Sequence, residues 1–548
     1  MYGSVFLVAT PPFSSTRPRR QNWCGRPLLR CRPGRSPALK KSRQRVASMA
    51  SKGNPGMDDS KRRQSDNDAA AEANQTTGDV ARYRPTVPVR AKWLLYVSHA
   101  LSTWGERAWE FAVGLVILDL YNNSLREVSL YGLASALGAV LFGPSVGRFI
   151  DRTPRFRTVA VFYFIQNVGM ALAAVSSLAL LWNGPRTMEG PLALALLGSV
   201  IFWGVFGAVG FLGSTVSVEK EWTRALCGDD EHELAIMNSS LRTIDLGCLI
   251  LAPVLTGFLM TYCGMRIAVM EIAGFNLLAW FPEVLFAKYA QNAAPQLQVQ
   301  KFETSAPSPE EGDLEEPLIA NSKGEKEKGL ATWGVFQAIA LYYKQKCSLA
   351  MFALALLYLT VLSLGLLMTS YLKSLGMSEA TLSLYRGVGA VTGVLGAKAF
   401  PFFQKTLGLP ATGLMGAGIQ FVSLAVGVVP LVCRAFMSTS DATLATMHLL
   451  VWGLIISRFG LWTFDLTVSQ TMQMTVDSTK LGSVGGVQKM HENFFTVVLY
   501  VVVVFVNDPK DFVWLMMGSL GVVGTAMSLY MIHMCKSRAA MESTPASA

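Results

Sequence analysis

Twelve times along this 548-residue chain, a run long and apolar enough to cross a bilayer is followed by a short break of Gly, Pro, Asn or charge. A hydrocarbon core needs about 20 apolar residues per helix, and it tolerates only backbone whose polar groups are satisfied internally. The runs fall at 93–120, 127–149, 157–182, 191–216, 234–262 and 265–288, then at 348–373, 379–403, 410–433, 445–471, 481–507 and 511–535. Composition agrees: only 16% of residues are charged, against roughly 25% in soluble domains, and the mean hydropathy is +0.35. The expectation is an all-α polytopic membrane protein of about 12 transmembrane helices in two six-helix halves. A soluble enzyme and a disordered protein are both excluded. Six runs, a charged linker and six more is the hydropathy pattern of two pseudo-symmetric transporter halves.

The expected parts are a removable transit peptide over 1–50, a polar linker over 51–90 with too few apolar groups to fold and so expected to be disordered, and an N-terminal half over 91–289. A central hydrophilic linker (290–345), a C-terminal half (346–536) and a short tail (537–548) follow. Residues 1–50 carry nine Arg, two Lys and no acidic residue, which equals the whole net charge of +11. The basic balance therefore belongs to the N-terminus and says nothing of nucleic acid. Ser-rich, Arg-rich and acid-free composition is that of an organelle transit peptide. Val5–Ala9 is too short for a secretory apolar region, and Pro11, Pro12, Pro18, Pro27, Pro33 and Pro37 oppose a long amphipathic helix. That favours a plastid over a mitochondrial address, hence a multi-pass protein of the chloroplast envelope, with the mitochondrial membrane as runner-up. The bland alternative is a basic disordered tail that stays in the cytosol.

Lys/Arg cluster after the second run (Arg148, Arg152, Arg155, Arg157), in the central linker and after the last run (Lys536, Arg538). By the loop-charge rule, both termini and the linker share one side. No phosphate-binding Gly-x-x-x-x-Gly-Lys-Ser/Thr loop is present, and His491-Glu492 does not extend to a His-Glu-x-x-His zinc motif. The eight Cys form no Cys-x-x-Cys pair, so a disulfide or zinc framework is not expected. The chain reads as a non-enzyme with no tightly bound cofactor, and any uphill transport would draw on a gradient.

An ionisable group within a span costs about 2.5–3.5 kcal/mol on insertion scales, so it faces a cavity or a partner. The first run holds Glu106, Arg107 and Glu110, with the two carboxylates one turn apart; the third holds Gln166 and Asn167; the sixth holds Asn276 and Glu283. Such oxygen donors suit hard cations. The competing reading for the amides is interhelical hydrogen bonding. Arg107 is placed to pair with a neighbouring helix. Arg242 with Asp245, and Arg458 with Asp465, read as gating or structural ion pairs. Gly147-Arg148-Phe149-Ile150-Asp151-Arg152 resembles the Gly-x-x-x-Asp-Arg loop of the major facilitator superfamily, in which charge pairs latch the halves together.

Longer motifs carry a more specific resemblance. Ser98-His99-Ala100-Leu101-Ser102-Thr103-Trp104-Gly105-Glu106-Arg107-Ala108-Trp109 resembles the first helix of the ferroportins, the iron-exporting solute carriers (family 40). Asn122-Asn123-Ser124-Leu125, Gln166-Asn167-Val168, Asn238–Asp245, Arg458–Val468 and Gly486-Val487-Gln488 fit in the same order, covering about 92–535. With the transit-like N-terminus, the chain is similar to a plastid-targeted plant member. The resemblance implies a major facilitator-type fold and alternating-access transport of ferrous iron or a related divalent metal. It also implies metal ligands at Glu106, Glu110, Gln166, Asn276 and Glu283, and a regulatory calcium on the set Glu106, Gln166, Asn276 and Glu283. Glu110 stands where the family has a metal-binding His. The second-half site departs from the pattern: Leu366 and Leu499 stand where animal members have Cys and His. His491 and Glu492 are then candidates for a replacement second site. The expected partners are a divalent metal or small cationic substrate and the lipid bilayer. The rival on the same fold is a carrier of organic cations or metal chelates, and a membrane-embedded scaffold docking through its acidic linker is a third class.

Overall fold

The computed structural model describes residues 87–121, 125–183, 190–298, 330–436, 444–505 and 511–542. The 1–50 segment, nearly all of 51–90, and the acidic part of the central linker lie outside the described residues. The first half is six helices: α1 Val89–Leu120, α2 Leu125–Arg152, α3 Arg155–Asn183, α4 Pro191–Thr215, α5 Glu231–Tyr262 and α6 Met265–Ala293. After α7, Leu330–Lys344, the second half runs through α8 Ser348–Leu356, α9 Leu366–Ser374, α10 Glu379–Leu407, α11 Leu409–Phe436, α12 Leu444–Thr475, α13 Leu481–Phe505 and α14 Phe512–Glu542. Among the described residues, eight helices are long and apolar enough to cross a membrane by length and composition. The expected segments outside that set are α1, which carries Glu106, Arg107 and Glu110, the short pair α8 and α9, and α10 and α13.

Two segments differ from expectation. The expected fourth run, 191–216, continues past α4 through a π-helical turn, Val216–Trp222, and a last α-turn, Thr223–Cys227. Glu219, Lys220 and Glu221, which hydropathy leaves in a loop, are therefore inside the helix and buried at 6%, 8% and 3% exposure. The expected seventh run, 348–373, is two nine-residue helices, α8 and α9, separated by unwound backbone at 357–365. Unwound backbone inside a bilayer is tolerated only where its polar groups find partners in protein. Ser519 on α14 accepts from Val361 N at 3.0 Å, and Arg458 on α12 donates to the Leu362 carbonyl at 2.9 Å.

That corrects one expected pairing. Arg458 forms no ion pair with Asp465; it caps the broken helix, a structural role of another kind. Arg458→Ala is expected to leave the Leu362 carbonyl unsatisfied, at about 1–3 kcal/mol. Faster amide exchange over 357–365, with α1 to α6 unchanged, is the check.

An even number of crossings returns each half to the end from which it started. The Lys92–Glu233 ion pair accordingly joins the beginning of α1 to the beginning of α5. At that same end the halves close on each other along α2 with α13 and α5 with α10. The α2–α13 contact is backbone against backbone: a Cβ on Gly143 would lie 2.8 Å from the Gly486 carbonyl oxygen, and one on Gly482 would lie 2.6 Å from the Gly147 carbonyl oxygen. Asp151, at the end of α2, accepts from Gly482 N and Ser483 N at 2.7 Å each, so it caps the opening turn of α13 across the interface. The Gly-x-x-x-Asp-Arg loop thus latches the halves through the opening backbone amides of α13. Around it, Asn238 donates to Gln473 at 2.7 Å, Gln473 to the Glu219 carbonyl at 2.6 Å, and Ser239 to the Ala397 carbonyl at 2.7 Å.

Candidate cation pathway and cross-half charge network

A continuous chain of charge begins in the first half and ends in the second. Glu110 on α1 has 58% of its side chain exposed and accepts from Arg107 Nη1 at 2.7 Å. The other Arg107 nitrogen donates to Asp245 on α5 at 2.8 Å. Asp245 lies 3.3 Å from Arg242, and Arg242 reaches Asp465 on α12 at 2.9 Å. The Arg242 guanidinium also lies over the Trp462 ring, 5.0 Å from its centroid. Burial deepens along the chain, with side-chain exposure falling from 58% at Glu110 to 20% at Arg107 and 8% at Asp245. The expected Arg242–Asp245 pair is present, and Asp465 takes Arg242 as its partner across the halves.

The π-turn adds charges to which the sequence assigns no role. Glu219 lies 3.8 Å from Arg242, 3.9 Å from Lys220 and 3.9 Å from His99 on α1. Lys220 donates across the halves to Ser469 at 2.9 Å, and Glu221 pairs with Arg155 at 3.1 Å. A π-turn inserts an extra residue into a helical turn, and such turns concentrate at functional sites; here Glu219, Lys220 and Glu221 are all buried. The clue in the sequence is the set of apolar residues on both sides of Glu-Lys-Glu, namely Val216, Val218, Trp222 and Leu226.

The candidate cation ligands separate into two groups. Gln166 is spent on structure: its Oε1 accepts from Ser102 and Ser214 at 2.8 and 3.1 Å, and its Nε2 donates to the Ser102 carbonyl at 2.8 Å. Glu106, Asn276 and Glu283 each keep a buried oxygen (Oε2, Oδ1 and Oε1) with no hydrogen-bond partner among the described residues. The other Glu283 oxygen accepts from Asn167 at 2.6 Å, and Asn276 Nδ2 donates to the Ile272 carbonyl at 2.8 Å. Asn276 packs on Gly105, beside Glu106; a Cβ there would fall 2.7 Å from Asn276 Oδ1. Asn276 and Glu283 are seven residues apart on α6, about 10 Å of helix rise, so joining both to one ion takes movement of side chains. The described residues contain no group of three or more His, Cys, Asp or Glu placed to hold a metal ion.

In the second half, His491 and Glu492 diverge. His491 Nδ1 donates to the Val487 carbonyl at 2.9 Å, which leaves Nε2 to accept from the Tyr343 hydroxyl at 2.9 Å. Tyr342 stacks on the same imidazole, with 4.9 Å between centroids. Glu492 accepts from Lys489 at 2.7 Å and Gln488 at 3.1 Å. Neighbouring helical residues point about 100° apart, and these two bind separate partners. His491 serves to pin α7 to α13. Leu499 is half-buried in the second-half core.

Twelve expected segments in two halves, meeting at one end and carrying a polar network through their centre, define a multi-pass membrane protein of the major facilitator type. The solved structure of the superfamily's proton:xylose symporter shares that fold, with a TM-score of 0.54 at 12% identity over 82% of this chain and 95% of that one. A bacterial homologue of the iron transporter ferroportin, in its outward-facing state, superposes with a TM-score of 0.67 at 23% identity over 82% of this chain and 100% of that one. The family model Ferroportin1 (FPN1) matches residues 89–523. Solute carrier family 40 member 1 of Oryza sativa subsp. japonica is 34% identical over 451 residues, covering 81% of this chain and 91% of the rice protein. The chain belongs to the ferroportin family.

Proposed function

We propose that this ferroportin-family protein is a secondary transporter that moves ferrous iron or a related divalent metal cation by alternating access, in the envelope membrane of a plastid, contributing to iron homeostasis. The observation that carries this reading is the pair of carboxylates, Glu106 and Glu283, each with a buried oxygen lacking a hydrogen-bond partner among the described residues. An uncompensated carboxylate at that depth is costly, and a hard divalent cation is the compensation its oxygens suit. A cation arriving at α1 meets the exposed carboxylate of Glu110 and competes there with Arg107, which keeps Asp245 as its second partner. Calcium is a candidate regulator on the oxygens of Glu106, Asn276 and Glu283, with Gln166 closing the set if its serine partners release it.

The rival, a carrier of organic cations or metal chelates, draws on one observation: Leu366 and Leu499 supply no metal ligand in the second half. Reconstitution in liposomes separates the two. Ferrous iron and cobalt flux is expected, and Glu106→Ala or Glu283→Gln is expected to lower it at least tenfold. No metal flux, with movement of an organic polycation unaffected by Glu106→Ala, would establish the rival instead. For the membrane, a fusion of residues 1–90 to a fluorescent protein is expected in plastids; a purely mitochondrial pattern would refute that part.

A further inference from the structure

At the closed end, a cleft of about 350 Å³ opens between α2 of the first half, α7, and the start of α13 in the second half. Arg148, Arg152 and Lys480 line it together with Gln337, Thr479 and Ser483. The acid in its wall, Asp151, has both carboxylate oxygens on the Gly482 and Ser483 amides. The nearby Asp477 turns its carboxylate onto Thr479 N and Oγ1 at 2.8 Å each, and that backbone hydrogen bond in particular holds its pKa below the usual aspartate value. Asp477 is thus occupied in shaping the backbone, and Arg152 and Lys480 stay exposed and make no ion pair among the described residues. The Arg148 guanidinium donates to Ser145 at 3.3 Å and is seated against Gly334 of α7, where any side chain would overlap it. Three cations converge on one cleft from both halves of the protein.

We propose that this cleft binds a phosphate-bearing anion, which bridges the two halves and favours the conformation closed at this end. Guanidinium groups match phosphate oxygens with paired N–H donors, and an ammonium adds a mobile point charge. Ligand pockets begin near 300 Å³, so the space admits a phosphate together with a small headgroup. Arg152 ends a membrane helix, which puts the cleft at the depth of lipid phosphates, where basic pockets between helices hold anionic headgroups. The ligand chemistry is common to lipid phosphodiesters and soluble phosphate.

The test is thermal unfolding of the purified full-length chain in neutral detergent. It is titrated with potassium phosphate against potassium chloride of equal ionic strength, and with dioleoylphosphatidylglycerol against dioleoylphosphatidylcholine. Saturable stabilisation is expected, by phosphate if the source is soluble, or by phosphatidylglycerol alone if it is lipid. Arg152→Gln with Lys480→Gln should raise the half-saturating concentration at least tenfold. Lys344→Gln with Lys346→Gln removes equal charge from exposed positions outside the cleft and should change it less than twofold. Gly486→Val, which keeps the cations but separates α2 from α13, should lose the stabilisation. If the cleft variant does not fold, acetylation of the wild-type chain replaces it: the stabilising anion should protect Lys480 and not Lys346. Absence of saturable stabilisation, equal weakening by both lysine-containing pairs, undiminished stabilisation of Gly486→Val, or equal acetylation of the two lysines would each overturn the proposal.

Discussion

Arg242→Ala is expected to abolish transport and to loosen the closed end of the protein. Its guanidinium is within 4 Å of three buried carboxylates, Glu219 at 3.8 Å, Asp245 at 3.3 Å and Asp465 at 2.9 Å. Removing one partner of a buried ionic pair typically costs about 3–5 kcal/mol, because the remaining charge is left uncompensated. Here three anions lose a shared cation, and the Arg242–Asp465 link between the halves disappears. Lys220 and Arg107 cannot replace it, since Lys220 is held by Ser469 and Arg107 already spans Glu110 and Asp245. A cost of that size lowers the population of the closed conformation by at least about 100-fold, taking 1.4 kcal/mol per factor of ten. Faster amide exchange over 476–490, together with flux at the level of empty liposomes, is the expected result. Wild-type exchange in that segment would show that Arg242 does not hold the halves together. Arg242→Lys keeps the charge but cannot reach three carboxylates with one ammonium, so its effect should be intermediate.

Gly486→Val is expected to stop turnover by a different route. A Cβ at 486 lies inside contact distance of the Gly143 carbonyl oxygen and 3.0 Å from Gly147 Cα, and backbone cannot rotate away as a side chain can. Overpacking in ordinary cores costs about 1–3 kcal/mol after side chains adjust. Between two backbones the available adjustment is separation of the helices, which in this protein means separation of the halves. The variant should therefore fold, remain open at this end, and fail to cycle, with flux down at least about 100-fold given a closed state disfavoured by about 3 kcal/mol. Gly198→Val, at a position where a Cβ meets nothing within 4 Å, is the control and should transport normally. Normal flux through Gly486→Val would mean that the α2–α13 contact is not part of the transport cycle.

Both predictions concern interactions that differ in how far the sequence foretells them. Carboxylates in apolar runs are conspicuous because lipid offers them no solvation, so Glu106, Glu110, Asp245, Glu283 and Asp465 all stand out from the sequence alone. Their partners do not. Arg458 and Asp465 sit seven residues apart on one helix and look like a pair, yet the unwound stretch at 357–365 claims Arg458 through the Leu362 carbonyl, and Asp465 is left to Arg242. Nothing in a hydropathy profile marks that break, because Leu357, Val361 and Leu362 are as apolar as a helix would require. The Glu219-Lys220-Glu221 triplet escapes notice for the opposite reason: three adjacent charges look like the end of a span, and only their burial among neighbouring helices keeps the helix going.

The sequence by itself determined the solvent this protein lives in, the number and order of its apolar segments, the division into halves and the family. It also located the acids that lipid cannot accommodate. These follow from one-dimensional properties, run length, periodicity and composition, each of which the chain carries locally. Tertiary structure alone decided which groups meet: Arg242 with Asp465, Gly143 with Gly486, Asp151 with the first amides of α13, and Glu106, Asn276 and Glu283 with no partner among the described residues for one oxygen each. Helical periodicity fixes a residue's face only relative to its own axis. Which face of another helix it meets depends on how the two halves pack, and that is a property of the assembled protein.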